Sequence, residues 1–481
     1  MKRLQTIAVI AALALALRAL AAWWIGPGVF GPDGAGASAA VTLGGHPYPL
    51  HPLLIGLFGD ARVLSVIAGA ATAAAAAVMG RRLGGGLWGA GLVAACAPLL
   101  VYPAATAGGD APAIAMMTCG VALAWGGRPA LGGLLAGLSV AVKPIALPLA
   151  PLLLVTPALS TSAGAAALSL VLVAAGAAVG VLPWAEVLDP LLRPRPRGGL
   201  LGTWWLGTGG APPALSDWPG VILAGVRRLW LEVPWWAGHP ALGLTAAVGA
   251  LLPGPARRAR MLAGALGGLG LLSVAVLIGD RMDPRYLGAP SVPLAVLAGV
   301  AIRRAPWLAL GLIVPALGVT SQVAAVRAHE EALPEKPIVP FPGVDAERLF
   351  KDGGVCGGDE LRAMAVDLAE RLPQGAEVAM VRLRDGREAE LYWPLQAARP
   401  DLILTVIHAG CCGGDGCVDR LIGHDAPASV LPGDSVGCLT PTLDYSEEQL
   451  FVGYTWGEPD QRFVLRDGDG GWPGDACKAM R

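Results

Sequence analysis

Apolar stretches of about 20 residues recur along the first two thirds of the chain, and short polar or basic breaks separate them. A bilayer core needs roughly that length for one helical crossing. The first runs from Leu4 to Ile25 behind Met1-Lys2-Arg3. It resembles a signal peptide, but Arg18 interrupts it and further spans follow, so an uncleaved first helix is expected. Other candidates centre near residues 70, 95, 118, 136, 151, 172, 246, 270, 295 and 315, which predicts about eleven helices. After about Pro334 the texture changes. Glu335 to Pro342 reads as an extended linker, and helical periodicity follows over Asp359–Leu372. Strand-like runs then appear at Glu377–Arg382, Leu402–His408, Gln449–Trp456 and Arg462–Leu465. The expected fold is therefore mostly α: a polytopic membrane helix bundle over residues 1–330, then a small soluble α/β domain over 331–481.

Composition agrees with this division. Of 481 residues, 54% are hydrophobic and only 15% charged, whereas soluble proteins carry about 25% charged residues. A wholly soluble protein is excluded, because the polar material is too scarce to cover its surface. The net charge of −1 hides two opposed halves. Residues 1–330 hold 21 Lys+Arg against 10 Asp+Glu, giving +11, and residues 331–481 hold 14 against 26, giving −12.

Basic residues resist translocation and collect on the cytoplasmic side. With the N-terminus inside, the turns holding Arg81-Arg82, Arg128, Arg257-Arg258-Arg260 and Arg303-Arg304 are all cytoplasmic. Every acid of the first 330 residues then falls in or beside the opposite loops, and an odd number of spans places the acidic tail there too. An outer polar site is the expectation, although translocated loops also tolerate single carboxylates. The loop from about Trp184 to Pro240 carries seven Trp with Arg193, Arg195, Arg197, Arg227 and Arg228. These are interfacial anchors, or equally a surface for a lipid phosphate and a sugar ring.

The words that break the helices carry a resemblance. His46-Pro-Tyr-Pro-Leu-His-Pro-Leu-Leu54 closes the first outer loop, and Phe58-Gly-Asp-Ala-Arg-Val-Leu-Ser-Val-Ile-Ala-Gly69 leads to Gly80-Arg-Arg-Leu-Gly84. Ala97-Pro-Leu-Leu-Val-Tyr102 precedes Asp110, Gly137-Leu-Ser-Val-Ala-Val-Lys-Pro144 ends another helix, and Arg285-Tyr286-Leu287 opens the last pair. In order and spacing they resemble the GT-C superfamily of membrane glycosyltransferases, in the branch of protein O-mannosyltransferases and aminoarabinose transferases. The resemblance implies transfer of a sugar from a polyprenyl-phosphate donor to a lipid, glycan or protein acceptor on the outer face, in a bacterial inner or plasma membrane. It implies catalytic roles for Asp33 and Asp110, with Asp33 as general base. The leaving phosphate needs positive charge, which points to Lys143 and Arg285, with Tyr286, His46 and His51 as further donor-binding candidates. The departure is at Asp33, where the family often has an Asp-Glu pair and this chain reads Gly31-Pro-Asp-Gly34, which is also a good turn. Asp110 orients the base, binds a divalent metal, or caps the helix starting at Ala111. Arg285 has the alternative of an ion pair with Asp280 or Asp283.

The tail holds Cys356, Cys411, Cys412, Cys417, Cys438 and Cys477. An even number on an oxidising side predicts disulfides, with a metal site around Cys411–Cys417 and His408 or His424 as the alternative. Cys96 and Cys119 lie in apolar helices and read as small core residues. No nucleic-acid signature or dinucleotide fingerprint is present. A transporter or flippase of lipid-linked sugars, or a membrane scaffold presenting the tail, are the competing functions.

Overall fold

A computed structural model describes residues 2–25, 50–106, 108–160, 162–185, 214, 216–227, 239–278 and 284–312, and in the tail 369–370, 374, 377–382, 395, 398–399, 401–408, 422–423, 429–430, 440–445, 450–455 and 464–465. The chain divides into two compact units, with Met1–Gly26 and Gly45–Ala325 forming the body of the first and Ala346–Arg481 that of the second.

The first unit is helical. Its α-helices are α1 (Lys2–Ile25), α2 (Leu50–Phe58), α3 (Ala61–Arg82), α4 (Leu87–Cys96), α5 (Pro98–Ala105), α6 (Asp110–Trp125), α7 (Pro129–Val142), α8 (Ala163–Val181), α9 (Trp218–Arg227), α10 (His239–Leu251), α11 (Arg257–Ile278) and α12 (Gly288–Arg304). Among the described residues four helices, α1, α3, α8 continued to Trp184, and α11, are long and apolar enough to cross a membrane. The pair α4 and α5, bent by 58°, makes a fifth if it is one span. Leucines and valines such as Leu168, Val171 and Val179 on α8 face outward, a surface that only lipid would cover without cost. The chain is an integral membrane protein.

Of the about eleven helices expected, the described residues include fewer of full membrane-crossing length. Shorter apolar helices occupy Asp110–Trp125, Pro129–Val142 and Ala241–Leu251, and the stretch centred near 151 is a 3₁₀ helix, Pro144–Leu159. Pro148, Pro151 and Pro157 remove the donors that an α-helix would need there. The segment near 315 is described only as the 3₁₀ helix Pro306–Leu312. The stretch His46–Leu54, expected to close the first outer loop, is helical from Leu50 onward, so His51 and Pro52 belong to α2. Pro52 lies in the first turn, where a missing amide costs nothing. The Trp-rich loop likewise contains a helix, α9.

Small residues set the closest packing. Gly133 and Gly137 on α7 face Gly176 and Gly180 on α8, and a Cβ on any of them would run into a backbone carbonyl of the opposite helix. Both helices thus present a Gly-xxx-Gly face, which allows backbones in an apolar solvent to touch. The core continues through Ala73, Ala76 and Met79 of α3, Ile114 and Met117 of α6, and Val292, Ala295 and Val296 of α12.

The second unit contains strands β1 (Glu377–Arg382), β2 (Ile403–His408), β3 (Ile422–Gly423), β4 (Ser429–Val430), β5 (Thr440–Tyr445), β6 (Leu450–Thr455) and β7 (Val464–Leu465). One sheet has the order β2-β1-β6-β5-β4, and β3 pairs with β7. β1 runs parallel to β2 and β6, with Glu377 opposite Ile403 and Val378 opposite Leu450, whereas β5 is antiparallel to β6. Of the helix expected over Asp359–Leu372, residues 369–370 are described and helical. The six tail cysteines lie outside the described residues.

Substituting Gly176 by Val should destabilise the detergent-solubilised protein by about 1–3 kcal/mol through overpacking. Gly164→Ala, where an added Cβ meets nothing within 4 Å, should be neutral. Thermal unfolding of the two variants checks this.

Candidate functional site

Hydrogen bonds between turns define two ends of the bundle. Arg82, at the end of α3, donates to the Gly126 carbonyl between α6 and α7 (3.0 Å). Arg303, at the end of α12, donates to Gly84 O (2.9 Å). Arg260, buried at the start of α11, donates to Leu83 O (3.0 Å) and Leu252 O. The basic turns picked out by charge therefore meet at one end, where their guanidinium groups satisfy carbonyls left open at helix termini.

The same helices carry Asp110, Lys143 and Tyr286 to the opposite end, because Asp110 begins α6, Lys143 follows α7, and Tyr286 precedes α12. Lys143 Nζ lies 2.5 Å from Asp110 Oδ1, and both side chains are less than a tenth exposed. Helix α6 starts at Asp110 with Gly109 at the cap position and no side-chain cap bond. The capping role at Ala111 is thus replaced by an ion pair. The cap that does form at this end is Asp60, whose carboxylate accepts from the amides of Arg62 (2.7 Å) and Val63 (2.8 Å) at the start of α3. Lys143 stands in extended conformation, as a residue before proline prefers. The α7 helix therefore ends there and the side chain turns to α6.

His51 packs beside this pair. It is fully buried on α2, and a Cβ at Gly109 would lie 3.1 Å from its Nδ1. A side chain immediately before Asp110 would crowd that ring. Ser65 on α3 donates to Gly108 O (3.0 Å), tying the same turn to α3. Arg285 and Tyr286 fall in a short 3₁₀ helix, Pro284–Leu287, that packs against α5 and leads into α12. Tyr286 is half-buried against the core. One residue beyond Leu287, a Cβ at Gly288 would lie 3.2 Å from Ile114 Cδ1, one turn along α6 from Asp110.

The structure thus brings Asp110 and Lys143 together, sets His51 against Gly109 in the turn before Asp110, and packs the Arg285-Tyr286 segment against neighbouring helices. Asp33, His46, Asp280 and Asp283 lie outside the described residues. No three His, Cys, Asp or Glu side chains gather as a metal-binding group among the described residues. Sequence reasoning passed over Ser65, Gly108 and Gly109, which position Asp110. Gly108-Gly109 before an acid at a helix start was the available signal.

This helical bundle, with one basic end, a buried ion pair at the other and broken helices between them, is similar in fold to solved membrane-protein structures. One solved structure it resembles is the crystal structure of ArnT from Cupriavidus metallidurans bound to undecaprenyl phosphate, at 17% identity and a TM-score of 0.52, with 83% of this chain and 85% of that chain covered. The apo form of the same ArnT aligns at 16% identity and a TM-score of 0.47 over 82% of this chain and 85% of that one. The likeness is one of fold. No family model and no curated protein matches the chain.

Removing either partner of a buried pair strands the other charge, at a cost of about 3–5 kcal/mol. Lys143→Met and Asp110→Asn should each lower stability by that amount, and the double variant should regain most of it. Thermal unfolding of the three variants measures this coupling.

Proposed function

We propose that the protein is a membrane glycosyltransferase that moves a sugar from a polyprenyl-phosphate donor to an acceptor on the extracytoplasmic face. The reading rests chiefly on a buried Asp110–Lys143 pair at the end of the bundle opposite the basic turns, in a fold shared with an ArnT whose structure holds undecaprenyl phosphate.

In this reading the basic end is cytoplasmic, since translocation disfavours arginine there, and the Asp110 end faces outward with the N-terminus inside. Asp33 removes the proton of the attacking acceptor hydroxyl as the glycosyl–phosphate bond breaks. The electron pair of that bond leaves with the phosphate. Lys143, held in place by Asp110, and Arg285 stabilise the charge that develops on it. His46, His51 and Tyr286 shape the donor site around them. Residues 1–330 form the catalytic membrane domain. Residues 331–481 form an extracytoplasmic α/β domain with disulfides among its six cysteines; the mixed sheet around β1 supports the β part of this reading.

The purified chain in lipid nanodiscs, given a polyprenyl-phosphate sugar and a membrane acceptor extract, should release polyprenyl phosphate and yield glycosylated product. Asp33→Asn should lower turnover by about two to four orders of magnitude, the range for losing a general base, without changing the unfolding temperature. Full activity of Asp33→Asn removes the base assignment. Movement of the donor across the bilayer with its glycosyl bond intact identifies a flippase instead.

A further inference from the structure

Arg18 is the one charged side chain in the apolar run of α1, and nothing in the proposed chemistry uses it. It is fully buried in a helix long and apolar enough to cross a membrane, and among the described residues no carboxylate pairs with it. Its guanidinium donates to three carbonyls. Nη1 reaches Ala14 O (3.2 Å) and Ala95 O (3.1 Å), and Nη2 reaches Ala94 O (3.1 Å). Two of these belong to the last turn of α4, at the 58° bend into α5.

The bend explains the arrangement. In a continuous helix the carbonyls of Ala94 and Ala95 would accept from residues 98 and 99. Pro98 has no amide hydrogen, and Ala97 before it is extended, at φ −63° and ψ 121°, as its position before proline dictates. The ladder stops at Val93, whose carbonyl takes the Ala97 amide (2.9 Å). Carbonyls left open in an apolar solvent must find other donors, and Arg18 supplies them from the neighbouring helix. Gly69 on α3 makes the slot, because a Cβ there would collide with Arg18 and with Ala104 of α5.

The bent segment leads to the candidate site. From α5 the chain passes through Thr106 and Gly108-Gly109 into Asp110. Pro103 within α5 leaves the Leu99 carbonyl without its helical donor, and that carbonyl approaches Gly288, with 2.8 Å to a Cβ built there. So α5 packs at one side against the segment carrying Arg285 and Tyr286 and feeds Asp110 at its end.

We infer that Arg18 is a positioning residue: by capping the broken helix it fixes the bend that sets Asp110 and the Arg285-Tyr286 segment in register. For activity this rests on the proposed transferase reading; for geometry it does not. Pro98→Ala restores the missing amide, so in Arg18→Met/Pro98→Ala the carbonyls are satisfied by a straightened helix without the guanidinium.

The test compares the unaltered chain, Arg18→Met, Pro98→Ala and the double variant, full length in nanodiscs. It reads thermal unfolding, sugar transfer, and the distance between genetically encoded spin-label residues at positions 88 and 106. Arg18→Met should lose both stability and transfer. The double variant should regain the unfolding temperature, yet transfer should stay down by about a hundredfold, the scale of an ångström-level misplacement of reacting groups. Its label distance should lengthen by roughly 3 Å, as a straight helix at 1.5 Å per residue requires. Recovery of transfer together with stability overturns the inference, because Arg18 then only satisfies carbonyls. An unchanged label distance in the double variant also overturns it. Absence of transfer by the unaltered chain with every donor sinks the proposed function alone, and the label distance still decides the role of Arg18.

Discussion

In hydrocarbon a backbone carbonyl or amide has no water to fall back on, and each one left open costs several kcal/mol. This constraint governs the membrane unit, because prolines at 98, 103, 144, 148, 151 and 157 repeatedly interrupt its helices. Each interruption needs a donor from elsewhere. Arg18 serves the end of α4, the Trp125 indole reaches Leu152 O in the proline-rich 3₁₀ helix (3.0 Å), and Arg82, Arg260 and Arg303 serve the turns at the basic end. Those side chains fix how the broken helices pack, and so where their ends point.

The two ends acquire opposite chemistry as a result. Arginines at the basic end are donors to backbone, a task that needs no carboxylate. At the other end the charges are matched, with Asp110 held by Lys143. Two buried charges at this distance stabilise each other, but taking both out of water costs several kcal/mol per ion. Packed apolar side chains would fill the same space at least as well. A pair retained on those terms is more readily understood as equipment for a polar reactant than as a staple for the fold. Gly109 supports that view, since a side chain there would crowd the His51 ring against the turn before Asp110.

Much of this was legible along the chain. Periodicity located α1, α3, α8 and α11 and the strand Glu377–Arg382, because those features depend on neighbouring residues. The basic turns were also legible, although only the folded chain shows Arg303 and Arg260 bonded to the turn after α3. The partner of Asp110 was not legible, since it is 33 residues away and the contact arises only where α6 and α7 pack side by side. Proline content announced a break at Lys143 but not the long 3₁₀ helix after it. The Gly133/Gly137 and Gly176/Gly180 spacing was open to reading, yet glycine is so abundant here that only the packing of α7 on α8 gives those four their meaning. Strands β3 to β5 were missed because they are short or carry Pro441 and Asp444, residues that disfavour a strand.

The proposed function places a lipid-linked phosphate at the Asp110 end of the bundle. A structure of the chain in nanodiscs with undecaprenyl phosphate tests it most directly. The prediction is phosphate density beside Lys143 and the Arg285-Tyr286 segment. Phosphate bound at the opposite end, among Arg82, Arg260 and Arg303, would contradict it.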